Sequence, residues 1–178
     1  KIVSMTGNIA PDGVAAYYSV IYNIADKTKA RCYPFPMPVV ASSAEERETL
    51  SRQPLILSNL GLIEQAEAIF VGIAGVGPDA PLLVDGFLSE AELNALRDAG
   101  AVGEITGWAF DRAGVPITGL TNARVMSAPL PDLASKLCVA VAVGASKVEP
   151  LRAALAGPLI NGLITDEATA EALLGAAV

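Results

Sequence analysis

Short apolar runs alternate with amphipathic stretches along this 178-residue chain. KIVSM at 1–5 reads as a strand, TGNIAPDG as a turn-rich loop, and residues 14–29 as a helix by their apolar spacing. ARCYPFPMPVV at 30–40 is a strand ending in a loop, where Pro34, Pro36 and Pro38 forbid helix. Residues 42–53 form a short helix with Ser43 and Glu46 spaced as a capping box. Pro54 opens a further helix running to about Ala66. AIFVGIAG at 68–75 is a buried strand closing on glycines, and 89–100 a helix between Ser89 as cap and Gly100 just past its end.

The middle changes rhythm. Residues 101–117 read as two short strands turning at Asp111–Gly114, a hairpin. Then come a strand at 136–143, a helix at 147–156, a strand at 160–165 and a helix from 166. This alternation predicts one α/β domain, 1–178, with a doubly wound, mostly parallel sheet flanked on both faces by helices.

Hydrophobic residues make up 52% of the chain, and the mean hydropathy is +0.47. Such a balance suits a buried sheet that hides further surface in an oligomer or against another segment. The net charge of −7 argues against nucleic-acid binding by this stretch, since phosphate contacts need a basic face. Lys27, Lys29 and Arg31 read as a solvated helix end. The absence of histidine removes Ser-His-Asp and Cys-His systems and histidine-ligated metal. Cys32 and Cys138 stand apart, so neither zinc nor redox chemistry is expected, and a reducing cytoplasm is the natural setting. No cofactor or metal is called for. No apolar run approaches the roughly 18 residues of a membrane span, so no membrane partner is expected. The chain opens on Lys1 within an apolar run, as a fragment would.

Ligands in such sheets bind beyond the carboxyl ends of the strands. That rule selects Thr6, Gly7 and Asn8 after the first strand, and Gly144, Ala145, Ser146 and Lys147 after the strand at 137–143. The second group reads either as a plain helix start or as an anion site, with a tight glycine turn, outward N–H groups and one full charge. It is not a Walker loop. Thr165 and Asp166 read as helix caps. Asp85 in LLVDGFL and Glu104 in AVGEITG are carboxylates in apolar surroundings and must be hydrogen-bonded or paired. Asp111 reads as a turn former, Arg124 as an ion-pair partner and Trp108 as core or interface.

GAVGEITGWAFDRAGVPI, NARV, VAVGASKVEPLRAAL and GLITDEATAEALL, in that order, together with VSMTGNIAPDG and DAPLLVDGFLSEAELNALRDAG, resemble the effector-binding region of SorC-family bacterial transcriptional regulators. The resemblance implies a fold similar to glucosamine-6-phosphate deaminase and ribose-5-phosphate isomerase. It also implies a sugar, polyol or sugar-phosphate effector that alters a homodimer or homotetramer and its operator affinity. Operator DNA would be held by a helix-turn-helix domain outside this chain. The family's effector contacts fall on Thr6, Gly7, Asn8, Glu104 and Lys147 with Gly144–Ser146. The chain departs from the family at 142–144, AVG where many relatives read AGG. It also places Asp85 and apolar FPMP where bisphosphate-binding relatives are basic. Asp85 would repel a phosphate by about 4 kcal/mol at about 4 Å with an effective dielectric of ~20. The expected ligand therefore carries at most one phosphate, with hydroxyls at the Asp85 end and phosphate or an oxygen-rich terminus at Lys147. An isomerase-like enzyme and a ligand-free oligomerisation module are the alternative readings.

Overall fold

The computed structural model describes residues 1–7, 9, 13 and 20–175. Asn8 and the first part of the helix expected at 14–29 lie outside the described residues. The elements run β1 (Ile2–Val3), α1 (Val20–Thr28), β2 (Cys32–Tyr33), α2 (Ala44–Ser51), α3 (Pro54–Glu64), β3 (Ala68–Val71) and β4 (Ala74–Gly75). Then follow α4 (Pro81–Val84), α5 (Glu90–Asp98), β5 (Ala101–Ile105), β6 (Trp108–Asp111), β7 (Leu137–Val141), α6 (Val148–Ala156), β8 (Gly162–Ile164) and α7 (Glu167–Gly175).

The described strands form three groups rather than one sheet. β1 and β2 pair in parallel; β3, β7 and β8 form a parallel trio with β7 central; β4, β5 and β6 form an antiparallel ribbon. The single strand expected at 68–75 therefore breaks at Gly72–Ile73, and its second half joins the ribbon. The hairpin is present, but its strands turn at Thr106–Gly107, where φ values of 50° and 91° suit a tight two-residue turn. Asp111–Gly114 is a second turn: Asp111 Oδ1 accepts from the N–H groups of Ala113 and Val115, and Phe110 bridges to Pro116 beyond it.

Local signals place the helix starts. Ser43 and Ser89 each accept from the backbone N–H three residues on. At α5 the box is complete, because the Glu92 carboxylate takes the Ser89 N–H. At α2 the return bond lands one residue earlier, the Glu46 carboxylate accepting from the N–H and hydroxyl of Ser42.

One face of the trio carries Ile69, Val71, Cys138 and Ala140, packed against Leu151, Ala153 and Ala154 of α6. α6 also lies on the ribbon. A Cβ at Gly103 of β5 would stand 2.6 Å from the Cβ of Pro150, so only glycine lets helix and strand come this close. Asn122 pins the ribbon's outer strand by bonding both backbone groups of Ala109 and the Ile117 carbonyl.

The Gly103–Pro150 contact makes a prediction. Gly103→Ala must push α6 off β5, and overpacking of this kind costs roughly 1–3 kcal/mol. Thermal unfolding should show a midpoint lowered by about 2–10 °C; an unchanged midpoint would mean that the helix is not seated as described.

Candidate functional site

β3 of the parallel trio runs through Gly72–Ile73 into β4, whose Ala74 stands opposite Glu104 of β5. This residue lies on β5 opposite Ala74 of β4 and Ala109 of β6, and is 8% exposed. Its Oε2 accepts the Gly107 N–H at 2.7 Å, closing the hairpin turn. Burial pushes the Glu104 carboxyl up to about 7, against the opposing pull of the Gly107 N–H and the Lys147 charge. A carboxyl so placed both accepts and donates protons near neutral pH.

Lys147 reaches this neighbourhood from the loop after β7. Gly144 has a φ of 110°, a conformation glycine adopts without strain, and a short 3₁₀ turn, Ala145–Lys147, leads into α6. The Ser146 carbonyl lies over Gly75 of β4. Lys147 is half-buried and forms no salt bridge among the described residues, so its charge acts on Glu104 without a locking partner. The outward-facing amide cradle expected at 144–147 is partly consumed. The Gly144 N–H donates to Thr169 Oγ1 at 2.9 Å, and the Lys147 N–H donates to the Gly144 carbonyl. Attraction for an anion here rests chiefly on the lysine charge.

Thr6 and Gly7 have structural partners. The Thr6 hydroxyl accepts from Ser127 at 2.8 Å and donates to the Gly7 carbonyl. A Cβ at Gly7 would fall 1.8 Å from the Met37 carbonyl oxygen, so this glycine permits the loops after β1 and β2 to touch. The same loop is tied to the hairpin: Ala128 donates its N–H to Met5, and its carbonyl accepts the Trp108 indole N–H. Asp85 ends α4, half-buried and engaged within the fold. Asp166 caps α7 through the Thr169 N–H, as its position after β8 suggests.

A second feature escaped the sequence reading. A cavity of about 660 Å³ opens between the starts of α2 and α5, lined by Pro38, Val40 and Phe87 and rimmed by Ser42, Glu92 and Arg124. Gly86, next to Asp85, lines it, whereas Glu104 and Lys147 do not. This cavity is therefore separate from the expected ligand position at Glu104 and Lys147. Arg124 bonds the Glu92 carboxylate and the Ala41 carbonyl, which is the ion-pair role its sequence suggested. Burial disfavours the charged form of Glu92, but the Ser89 N–H and hydroxyl with Arg124 outweigh it and hold the carboxyl below its ordinary value. Ser43 and Ser89, beside this rim, read as helix caps, but no local pattern says that the two helix starts face one space. Among the described residues, no cluster of three or more metal-ligating side chains exists.

The Glu104 geometry fixes a pH dependence. An unfolded Glu ionises near 4.5 and the folded one near 7, so its stabilising protonated form is fully present below 4.5 and lost as pH rises through 7. Glu104→Gln should therefore match the native protein near pH 4 and exceed its stability by about 3 kcal/mol at pH 8. Denaturant titrations of both proteins across pH 4–8 measure the gap; parallel curves would contradict the assignment.

Comparisons with known proteins identify the family of the domain. The family model Sugar-bind, described as "Putative sugar-binding domain", matches residues 1–175. The erythritol catabolism regulatory protein EryD of Brucella abortus is 34% identical over 175 residues, covering 98% of this chain and 55% of EryD. The chain thus spans about half the length of the curated relatives it matches. A domain of a possible sugar-binding transcriptional regulator from Arthrobacter aurescens superposes with a TM-score of 0.85 at 25% identity, over 97% of this chain and 68% of that one. The full-length sorbitol operon regulator SorC of Klebsiella pneumoniae shares the fold, with a TM-score of 0.81 at 22% identity, over 97% and 56%. The chain belongs to the Sugar-bind family of sugar-binding domains, whose members among its curated relatives are named as transcriptional regulators.

Proposed function

We propose that this chain is the effector-sensing region of a transcriptional regulator of carbohydrate metabolism, and that it binds a polyol, sugar or sugar monophosphate beside Glu104 and Lys147. The observation that supports this reading is the buried Glu104 carboxyl, within reach of the Lys147 charge, on the ribbon that continues from β3 of the parallel trio. Lys147 supplies the donor or counter-charge for phosphate or a terminal oxygen; Glu104 accepts from or donates to adjacent hydroxyls. Thr6, Gly7, Asn8 and the 144–146 loop border the ligand, and Asp85 takes hydroxyls at its far end. A likeness to the deaminase and isomerase fold belongs with this reading, as do operator binding through a further domain and a ligand-dependent dimer or tetramer. EryD, named for erythritol catabolism, makes tetritols the first ligands to try.

The proposed role is sensing rather than turnover. A carboxyl near neutrality beside a lysine could also serve acid–base chemistry, so the ligand must be recovered unchanged after incubation. Thermal unfolding against erythritol, erythritol phosphate and a panel of sugars tests binding directly. A ligand at about 100 times its Kd adds about 2.7 kcal/mol, or about 5–10 °C for a domain of this size. Lys147→Met should abolish the shift for a phosphorylated ligand and weaken it for a neutral polyol. Isomerised product, or full shifts in the variant, would contradict the proposal.

A further inference from the structure

Residues 125–128, between the ribbon and β7, belong to none of the named helices or strands and yet are all buried. A buried loop must satisfy its backbone polar groups within the protein, and this one does so by lacing three other segments together. Met126 donates its N–H to the Val39 carbonyl, after β2, at 3.0 Å. Ala128 donates to the Met5 carbonyl, after β1, at 2.7 Å, and its own carbonyl accepts the Trp108 indole N–H from the hairpin at 3.0 Å. Ser127 differs from its neighbours in using its side chain: its Oγ donates to Thr6 Oγ1 at 2.8 Å.

That bond acts on the side chain of Thr6 and not on its backbone, whose carbonyl already accepts from Ser4 Oγ at 2.8 Å. A hydroxyl has one proton and two lone pairs. Thr6 gives its proton to the Gly7 carbonyl at 3.3 Å and one lone pair to Ser127, so what it has left is an acceptor. An acceptor takes an O–H from a ligand and repels the bare oxygen of an ionised phosphate. We infer that Ser127 is a positioning residue of the ligand site: it fixes the rotamer and the proton of Thr6, so that the loop after β1 recognises a hydroxyl of the effector and not its phosphate. The inference rests on the reading above that sets Thr6 beside the ligand. Through Ala128 and Trp108 the same buried strap holds this loop to the hairpin that carries Glu104, the other group that meets hydroxyls.

Ser127→Ala tests this with and without a ligand. Three-bond NMR couplings to the Thr6 methyl carbon report its χ1 angle; they should show a single rotamer in the native chain and rotamer averaging in Ser127→Ala. Calorimetric titrations with erythritol and with erythritol phosphate should show both probes binding Ser127→Ala more weakly by about tenfold, while its unfolding midpoint falls by no more than about 4 °C. Lys136→Met is the control for plain destabilisation, since Lys136 Nζ bonds the Glu64 and Ala66 carbonyls at the far ends of the strands. It should leave the Thr6 couplings native and both affinities within about twofold. Unchanged couplings or unchanged affinities in Ser127→Ala would overturn the inference and leave the ligand reading standing, as would an equal affinity loss in Lys136→Met. A loss confined to erythritol phosphate would put the phosphate at Thr6 and overturn it too. Binding of neither probe by the native chain would overturn the ligand reading itself, and this inference with it.

Discussion

The seating of α6 against β5 is the contact on which the candidate site depends. Gly103 has no side chain, so Pro150 comes directly onto the strand, and the turn just before the helix is drawn over Gly75. Glu104, the next residue along β5, alternates to the other face and is buried there, while Lys147, three residues before Pro150, is brought near enough for its charge to act on that carboxyl. Moving the helix outward by a single methyl group would draw the 145–147 turn and its lysine charge away from β5. Apolar packing thus sets the electrostatics here.

The remaining polar groups hold the frame. Thr169 takes the Gly144 N–H and so fixes the loop ahead of Lys147 to α7. Ser127, Ala128 and Trp108 tie the end of β1 to the hairpin, with Arg47 over the indole ring. Arg124 and Glu92 fasten the start of α5 to the segment after β2. Each bond joins segments distant in sequence. The short strands consequently behave as one unit although their ladders are separate.

This explains which features the sequence shows and which it hides. Helix starts are local, and Ser43, Pro54, Ser89 and Asp166 all stand where their chemistry suggested. Strand positions followed from apolar runs, but partners did not. A strand at 68–75 looks continuous by hydropathy, whereas pairing sends Ala68–Val71 to β7 and Ala74–Gly75 to β5. The hairpin turn was misplaced because Asp111–Gly114 has the stronger turn composition, and Thr106 enters a positive φ that composition does not announce. Glu104 and Lys147 were legible as candidates, since both stand out against apolar surroundings at strand or loop ends. Their proximity was not, because it depends on a glycine contact with α6. At Gly7 the sequence showed a loop after a strand but not the close backbone crossing with Met37 that also requires a glycine there.

The most direct measurement is a crystal structure of the complete regulator bound to the polyol or sugar phosphate that stabilises it. The account predicts ligand oxygens within hydrogen-bonding distance of both the Glu104 carboxyl and Lys147 Nζ, with any phosphate at the lysine end. A ligand seated instead between the starts of α2 and α5 against Arg124, with Glu104 and Lys147 untouched, would contradict it.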